Sequence, residues 1–201
     1  ETVSRIEADG QIGKVAHDNQ HQVHASFDLG VNDATAIWYF QRMGHELHFI
    51  DYEEFTNTGL PEIVKHMQAK PYNYGPMVFP HDVNVTSLST GQTRKQTLQA
   101  LGVSVMVAPK LPVIDTIDTA RSIIPRCFFD ADQCKEGIEA LRQYRSDWDD
   151  KRGTLRLQPL HDWSSHGADA FRYLAVSEHL LSSTWSAINY SAMDGNTYAV
   201  R

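Results

Sequence analysis

The sequence has 201 residues, of which 41% are hydrophobic and 21% charged. This length suffices for one full-sized domain, and the composition argues against long disordered stretches. No apolar run approaches the roughly 20 residues that a membrane span needs. A net charge of −7 is unusual for a protein that only binds a nucleic-acid backbone. The two cysteines, Cys127 and Cys134, are too few for a disulfide scaffold or a zinc knuckle, and we interpret them as buried, idle thiols.

The first half of the sequence predicts an antiparallel meander of three strands. Residues 1–20 are polar and irregular and are interpreted as a lead-in segment. Alternation over residues 23–29 predicts a strand with its apolar side chains on one face and Asp28 on the other. Residues 34–41 and 46–55 are rich in β-branched and aromatic residues, and short turns join these two further strands to the first.

Helices and strands alternate in the remainder of the chain. The predicted elements are a helix over 60–69, a strand over 77–79, a helix over 93–101, a strand over 103–108, helices around 114–124 and 138–145, a hairpin at 154–158 with its turn at Gly153, and a helix over 165–181. This order predicts an α/β fold with a mixed five-stranded sheet, three antiparallel strands followed by two parallel additions, and helices on both faces. The predicted domain covers residues 21–185, and residues 186–201 are interpreted as a tail.

Three aspartates occupy comparable positions in this predicted fold. Asp28 lies on the first strand, Asp82 directly follows the fourth, and Asp169 lies in the first turns of the last helix. Sites in open α/β sheets form beyond strand ends, and two-metal phosphodiester cleavage needs several carboxylates close together. Each aspartate alone is better explained as a turn or helix-start residue. The combination favours a metal site.

Three segments carry a resemblance to a known family. They are residues 26–36 (SFDLGVNDATA), 79–82 (FPHD) and 165–172 (SHGADAFR). Over roughly residues 23–179 the chain resembles the nuclease domain of the large terminase subunit of tailed bacteriophages. The resemblance implies an RNase H-like fold in which Asp28, Asp82 and Asp169 bind two Mg²⁺ or Mn²⁺ ions and are the catalytic residues. It also implies cleavage of concatemeric viral double-stranded DNA by two-metal-ion hydrolysis, before and after capsid filling.

Other polar residues surround the three aspartates in the sequence. The resemblance suggests that Asp33 is an accessory carboxylate, although a turn aspartate is about as well supported there. His81 and His166 flank two of the proposed ligands, and His161 lies nearby. These histidines could transfer a proton or contact phosphate, but support of the adjacent site or simple solvation is the more common role.

Two groups of basic residues are candidates for DNA contact. Arg94 and Lys95 begin a predicted helix after the Asp82 loop, while Lys151, Arg152 and Arg156 flank the predicted hairpin. Contacts with phosphate carry little sequence information, so cleavage is expected to be only weakly sequence-specific. On the charge pattern alone, a solvated mixed surface is the more common explanation of such residues.

The sequence departs from a complete terminase in one respect. Gly91–Thr97 lacks the second glycine that precedes the lysine in a Walker A loop, and the chain does not begin with Met. We therefore expect a nuclease fragment whose ATPase motor lies elsewhere on the full-length chain. The resemblance further implies contacts with the portal protein and the small terminase subunit, and no membrane. The implied location is the host cytoplasm, at the procapsid during packaging and not in the mature virion.

Two other functions remain open from the sequence. One is a different RNase H-like nuclease, such as a resolvase or transposase core, which would prefer branched DNA or specific terminal sequences. The other is a non-catalytic module that docks on the portal or the small terminase subunit, with the aspartates serving only structure. Cleavage of DNA in the presence of a divalent metal separates the enzymes from the docking module.

Overall fold

The fold of this chain, given by a computed structural model, is described for residues 2–30, 34–86, 91–144, 146–149, 154–159 and 162–193. The strands are β1 (Ile12–Gly13), β2 (His24–Asp28), β3 (Thr35–Met43), β4 (Glu46–Phe55), β5 (Met77–Phe79), β6 (Val105–Val107), β7 (Cys127–Asp130), β8 (Ser146–Asp149) and β9 (Thr154–Pro159). The α-helices are α1 (Thr2–Ala8), α2 (Leu60–Gln68), α3 (Arg94–Ala100), α4 (Val113–Ile123), α5 (Lys135–Gln143) and α6 (Trp163–Met193). Among these helices none combines the length and the apolar character that crossing a membrane requires.

A mixed sheet of seven strands forms the centre of the fold, in the order β1-β7-β4-β3-β2-β5-β6. β3 is antiparallel to both of its neighbours, and the other pairings in this sheet are parallel. Therefore β2, β4, β5, β6 and β7 all end at one edge of the sheet. We call it the carboxyl edge. β8 and β9 form a separate antiparallel pair.

Helices cover both faces of the sheet, as the sequence predicts. On one face Trp38, Phe49 and Phe129 pack with residues of α1, α4, α5 and α6. On the other face α2 and α3 pack over a second cluster, in which the rings of Phe27 and Phe79 stack with their centroids 4.2 Å apart. The alternation in β2 explains this two-sided burial, because neighbouring residues of a strand point to opposite faces.

The structure corrects two expectations about the sheet. It has seven strands rather than five, because β7 pairs with β4 on the side away from β3, and β1 pairs with β7. Residues 1–20 are not irregular throughout, since α1 buries Val3 and Ile6 in the core and β1 joins the sheet. These strands have only two and four residues, so neither carries enough alternation to be recognised locally. Both cysteines are buried and free, as predicted.

A carboxylate at the end of β7 joins the N-terminal segment to the core. Asp130 accepts hydrogen bonds from the backbone N–H groups of Val15 (3.0 Å), Asp132 (3.1 Å) and Gln133 (2.9 Å). Burial alone would raise the pKa of the Asp130 carboxyl, but these three bonds outweigh it and lower the pKa. The ionised carboxylate therefore stabilises the folded state.

Replacing Asp130 by Ala is expected to lower the free energy of unfolding by about 1–3 kcal/mol at neutral pH, because three N–H groups lose a charged acceptor. A depressed pKa in the folded state gives stability that is present above the unfolded pKa and lost as the pH falls through the folded pKa. The difference from wild type should therefore shrink in acid. Urea unfolding of both proteins, at neutral pH and at pH values below the ordinary pKa of Asp, measures this difference in the free energy of unfolding. Asp132→Ala, at an exposed neighbouring position, is the control and should change little.

Candidate active site

The first two predicted aspartates lie together at the carboxyl edge. Asp28 is the last residue of β2, and Asp82 lies in the 3-10 turn His81–Asn84 that follows β5. β2 and β5 are parallel neighbours, with Ser26 opposite Val78. Both carboxylates therefore extend beyond the same ends of adjacent strands, where sites of open α/β sheets form.

The N-terminal part of α6 brings the third aspartate to this edge. Ser26 Oγ donates a 2.7 Å hydrogen bond to the carbonyl of Ala170, and Trp38 Nε1 donates one of 2.8 Å to the carbonyl of Gly167. These bonds hold α6 against β2 and β3. One turn of the helix then carries His166, whose Nδ1 lies 3.3 Å from Asp28 Oδ2, and Asp169.

A glycine makes this close approach of α6 possible. A Cβ atom at Gly167 would lie 2.6 Å from the Tyr52 hydroxyl oxygen and 3.0 Å from the Ala140 Cβ. Such contacts are well inside van der Waals distance, so any larger residue would push α6 away from the sheet. The glycine of the SHGADAFR segment is therefore explained by packing next to the site.

The electrostatics of Asp28 reflect its surroundings. Burial raises the pKa of the Asp28 carboxyl above its ordinary value. The negative charges of Asp169 and Asp82 raise it further, while the bond to His166 opposes the shift. The charges of both other aspartates therefore act on the Asp28 carboxyl, as is expected of carboxylates that lie near one another.

Asp169 is held by two neighbouring side chains. Arg172 donates to Asp169 Oδ1 from Nε (3.1 Å) and from Nη2 (2.6 Å), and Tyr144 Oη donates to the same oxygen at 3.2 Å. Arg172 is itself buried and donates from Nη1 to Thr116 Oγ1 at 2.6 Å. No role was predicted for Arg172 or Tyr144 from the sequence.

Asp82 has one paired and one unpaired oxygen. Its Oδ2 accepts a 3.3 Å hydrogen bond from Arg94 Nη1, so this predicted DNA-binding arginine lies at the proposed site itself. Its Oδ1 is buried and has no hydrogen-bond partner among the residues that the structure describes. A buried carboxylate oxygen without a partner is costly unless something binds it, and a cation is a suitable ligand for it.

The chemistry of these oxygens fits a hard divalent cation, but the side chains do not enclose one as they stand. Within the described ranges, no group of three or more His, Cys, Asp or Glu side chains is close enough to hold a metal ion. Asp169 instead forms an ion pair with Arg172, and Asp82 forms one with Arg94. Carboxylates are the preferred ligands of Mg²⁺ and Mn²⁺, so the donor set matches the metals expected from the sequence.

Several predicted site residues receive no structural account. Asp33, Lys151, Arg152 and His161 lie outside the described residues. Arg156 lies in β9, which is described by its backbone only. Of the remaining predicted residues, His166 is buried, His81 is exposed, and Lys95 is half-buried on α3.

Sequence analysis missed three residues near the aspartates. Arg172 and Tyr173 follow Asp169 by three and four positions, a spacing that places them beside it on the helix. The pKa of the Tyr173 hydroxyl is raised by burial and then by the charges of Asp28, Asp169 and Asp82. Helical spacing could therefore have identified both residues, whereas Tyr144 is distant in sequence and carries no local signal.

Four large apolar side chains are exposed in the described ranges. Trp163, the first residue of α6, is 54% exposed and lies one turn before His166. The other exposed large apolar residues in the described ranges follow β5 and β6; they are Val85, Leu111 and Ile114. An exposed Trp one helical turn from His166 is available for contact with a partner or substrate.

Comparison with solved structures identifies similar folds. The large terminase of a thermophilic bacteriophage is 18% identical, with a TM-score of 0.63 over 86% of this chain, and the chain spans 43% of the length of that protein. The P22 large terminase nuclease domain is 16% identical, with a TM-score of 0.64 over 85% of this chain and 89% of that domain. The nuclease domain of the bacteriophage SPP1 large terminase, solved with bound Mn, is 15% identical, with a TM-score of 0.57 over 79% of this chain and 86% of that domain.

No family model matches the sequence, and no curated protein matches it. At identities below one fifth, the structural likeness is a likeness of fold. It extends over most of this chain and over nearly all of two isolated nuclease domains. The resemblance found in the sequence is confirmed: this chain has the RNase H-like fold of the large terminase nuclease domains.

Proposed function

We propose that this chain is a metal-dependent endonuclease domain that cleaves double-stranded DNA during the packaging of a viral genome. The observation that carries the proposal is the placement of Asp28 at the end of β2, with Asp82 and Asp169 close enough to raise its pKa. A fold likeness to terminase nuclease domains supports the choice of reaction. Carboxylates clustered at a strand edge match the needs of phosphodiester hydrolysis.

Asp28, Asp82 and Asp169 would hold two Mg²⁺ or Mn²⁺ ions. When bound, such ions activate the attacking water and stabilise the leaving oxygen of the phosphodiester. His166 orients the Asp28 carboxylate through its Nδ1, 3.3 Å away. The unpaired Oδ1 of Asp82 supports the proposal that this residue binds a cation. Asp33 remains a proposed accessory ligand.

DNA would be bound around the carboxyl edge. Arg94 lies beside Asp82 and can contact a phosphate near the reacting one. Lys95 follows it on α3, and the exposed Trp163 offers an aromatic face to the substrate. Lys151, Arg152 and Arg156 are proposed to contact phosphates from the hairpin, which would make binding weakly sequence-specific.

Nicking of a supercoiled plasmid tests the function. We expect relaxation of the plasmid with Mn²⁺ or Mg²⁺ and none with EDTA. Comparison of linear, supercoiled and branched DNA of the same length tests for a resolvase-like enzyme, which would cleave the branched substrate preferentially. A complete lack of cleavage with folded protein and either metal would contradict the endonuclease and favour the docking module.

The affinity for DNA should fall steeply with salt despite the net charge of −7. Replacing Lys151 and Arg152 together by Gln should reduce the slope of log K against log salt by about one unit for each phosphate that is no longer neutralised. Fluorescence anisotropy with a labelled duplex at several salt concentrations measures the slope. Lys65→Gln, an exposed position on α2, is the matched control. An unchanged slope in the double variant would exclude the hairpin from the DNA footprint.

The wider setting is also a proposal. The chain spans less than half of the large terminase from the thermophilic bacteriophage, so we propose that an ATPase motor lies on the same full-length protein. The portal protein and the small terminase subunit are the proposed protein partners. The proposed location is the host cytoplasm, at the procapsid during packaging.

A further inference from the structure

We propose that Arg172 is a positioning residue, which fixes the Asp169 carboxylate so that one of its oxygens is presented to a metal ion. The inference rests on the proposed function, because it concerns the same site. It assigns a role to a residue that touches neither the scissile phosphate nor the metal. Arg172 would act only through Asp169 and is therefore not a catalytic residue.

The hydrogen bonds to Asp169 are unevenly distributed. Arg172 donates twice to Oδ1, and Tyr144 Oη donates to the same oxygen. No described residue donates to Oδ2. Three donors on one oxygen fix the rotation of the carboxylate, which leaves Oδ2 as its coordinating atom. Residues that donate hydrogen bonds to a metal ligand orient that ligand and tune the affinity of the site for the metal.

Arg172 can fix Asp169 because it is itself immobile. Its side chain is 8% exposed, and its third nitrogen, Nη1, donates a 2.6 Å hydrogen bond to Thr116 Oγ1 on α4. The planar guanidinium thus joins α6 to α4 while it holds the carboxylate. A lysine has one nitrogen and could not reach both acceptors with the same geometry.

An opposite role for Arg172 is physically possible and makes the inference testable. The positive guanidinium could act as a competitor that neutralises Asp169 and repels an incoming cation. Positioning predicts that the metal binds more weakly without Arg172, whereas competition predicts that it binds more tightly. The affinity for Mn²⁺ therefore distinguishes the two roles without any measurement of cleavage.

The test titrates the protein with Mn²⁺ and follows free Mn²⁺ by electron paramagnetic resonance. We expect Arg172→Gln to raise the Kd by about 10- to 100-fold, the usual effect of losing the group that orients a metal ligand. Arg172→Lys should not restore wild-type affinity, although it keeps the charge. Thr116→Val is a nearly isosteric change that removes the acceptor of Arg172 Nη1, together with the hydrogen bond that Thr116 Oγ1 donates to the Val113 carbonyl. It should give a smaller rise in the Kd, and it covers the case that the arginine variants fail to fold.

Two further variants separate positioning from a merely structural role. Arg126→Gln removes an arginine that pairs with Glu178, farther along α6, and should lower the melting temperature without changing the Kd. In an Asp169→Asn background, Arg172→Gln should have no further effect on the Kd, because both changes act through one carboxylate. Additive effects of the two changes would contradict the inference.

The outcomes distinguish this inference from the proposed function. If wild type binds Mn²⁺ and Asp28→Asn loses it, but Arg172→Gln stays within twofold of wild type or binds more tightly, positioning by Arg172 is wrong and the metal site stands. If wild type takes up no Mn²⁺, the proposed metal site and the positioning role fall together.

Discussion

Replacing Asp28 by Asn is expected to reduce Mn²⁺-dependent nicking at least roughly 10³-fold, as is usual for members of a catalytic unit. The substitution keeps the shape of the side chain and removes the charge that a cation needs. Asp82→Asn and Asp169→Asn should have a comparable effect. Because the three residues act as one unit, double variants should be no slower than the single ones. Plasmid-nicking rates at saturating Mn²⁺ measure these losses.

A buried carboxylate outside the site provides the control. Asp51 is buried on β4 and pairs with Lys70 Nζ at 2.7 Å. Asp51→Asn should lower stability, since it removes one of the two carboxylates that pair with Lys70 and leaves only Glu53, but folded protein should still nick DNA at near the wild-type rate. Nicking by Asp28→Asn within a few-fold of wild type would contradict the proposed mechanism.

The difference in stability between Asp28→Asn and wild type should change sign when metal is added. Without metal, burial and the charges of Asp169 and Asp82 raise the pKa of Asp28, so the folded state disfavours its ionised form. The free energy of unfolding of wild type therefore falls as the pH rises from the unfolded to the folded pKa. Above that interval the Asn variant, which has no charge to bury, should melt at the same temperature or higher. In acid the difference should disappear.

Mn²⁺ should reverse this order. A ligand that binds only the folded state stabilises it by RT ln(1 + [L]/Kd), about 2.7 kcal/mol at a hundred times Kd. Wild type should gain this stability and the Asn variant should gain less. Melting curves of both proteins with and without Mn²⁺ measure it. If Asp28 only caps a turn, its loss should instead cost about 1 kcal/mol with no dependence on metal. That result would remove Asp28 from the metal site.

The sequence by itself determined the parts of the fold whose signals are local. Alternation placed Asp28 on the face of β2 opposite Phe27, and the structure confirms that division between two clusters. The bounds predicted for β4 and β5 agree with the structure residue for residue, because turn residues bound β4 and the short apolar run of β5 ends at Pro80. The places of the three aspartates on their elements were also predicted, since a strand end and a helix start can be recognised without long-range contacts, whereas their role as metal ligands stays a prediction.

Only the tertiary structure decided what surrounds those aspartates. Tyr144 reaches Asp169 across 25 positions, and Thr116 reaches Arg172 across 56. No local pattern encodes such contacts, because they depend on how α4 and α5 pack against α6. The pairing of β1 with β7 is similarly non-local, with Ile12 opposite Phe129. Strand alternation and helical spacing thus place the three aspartates on their elements, whereas packing decides which side chains hold them, orient them and pair with their charge.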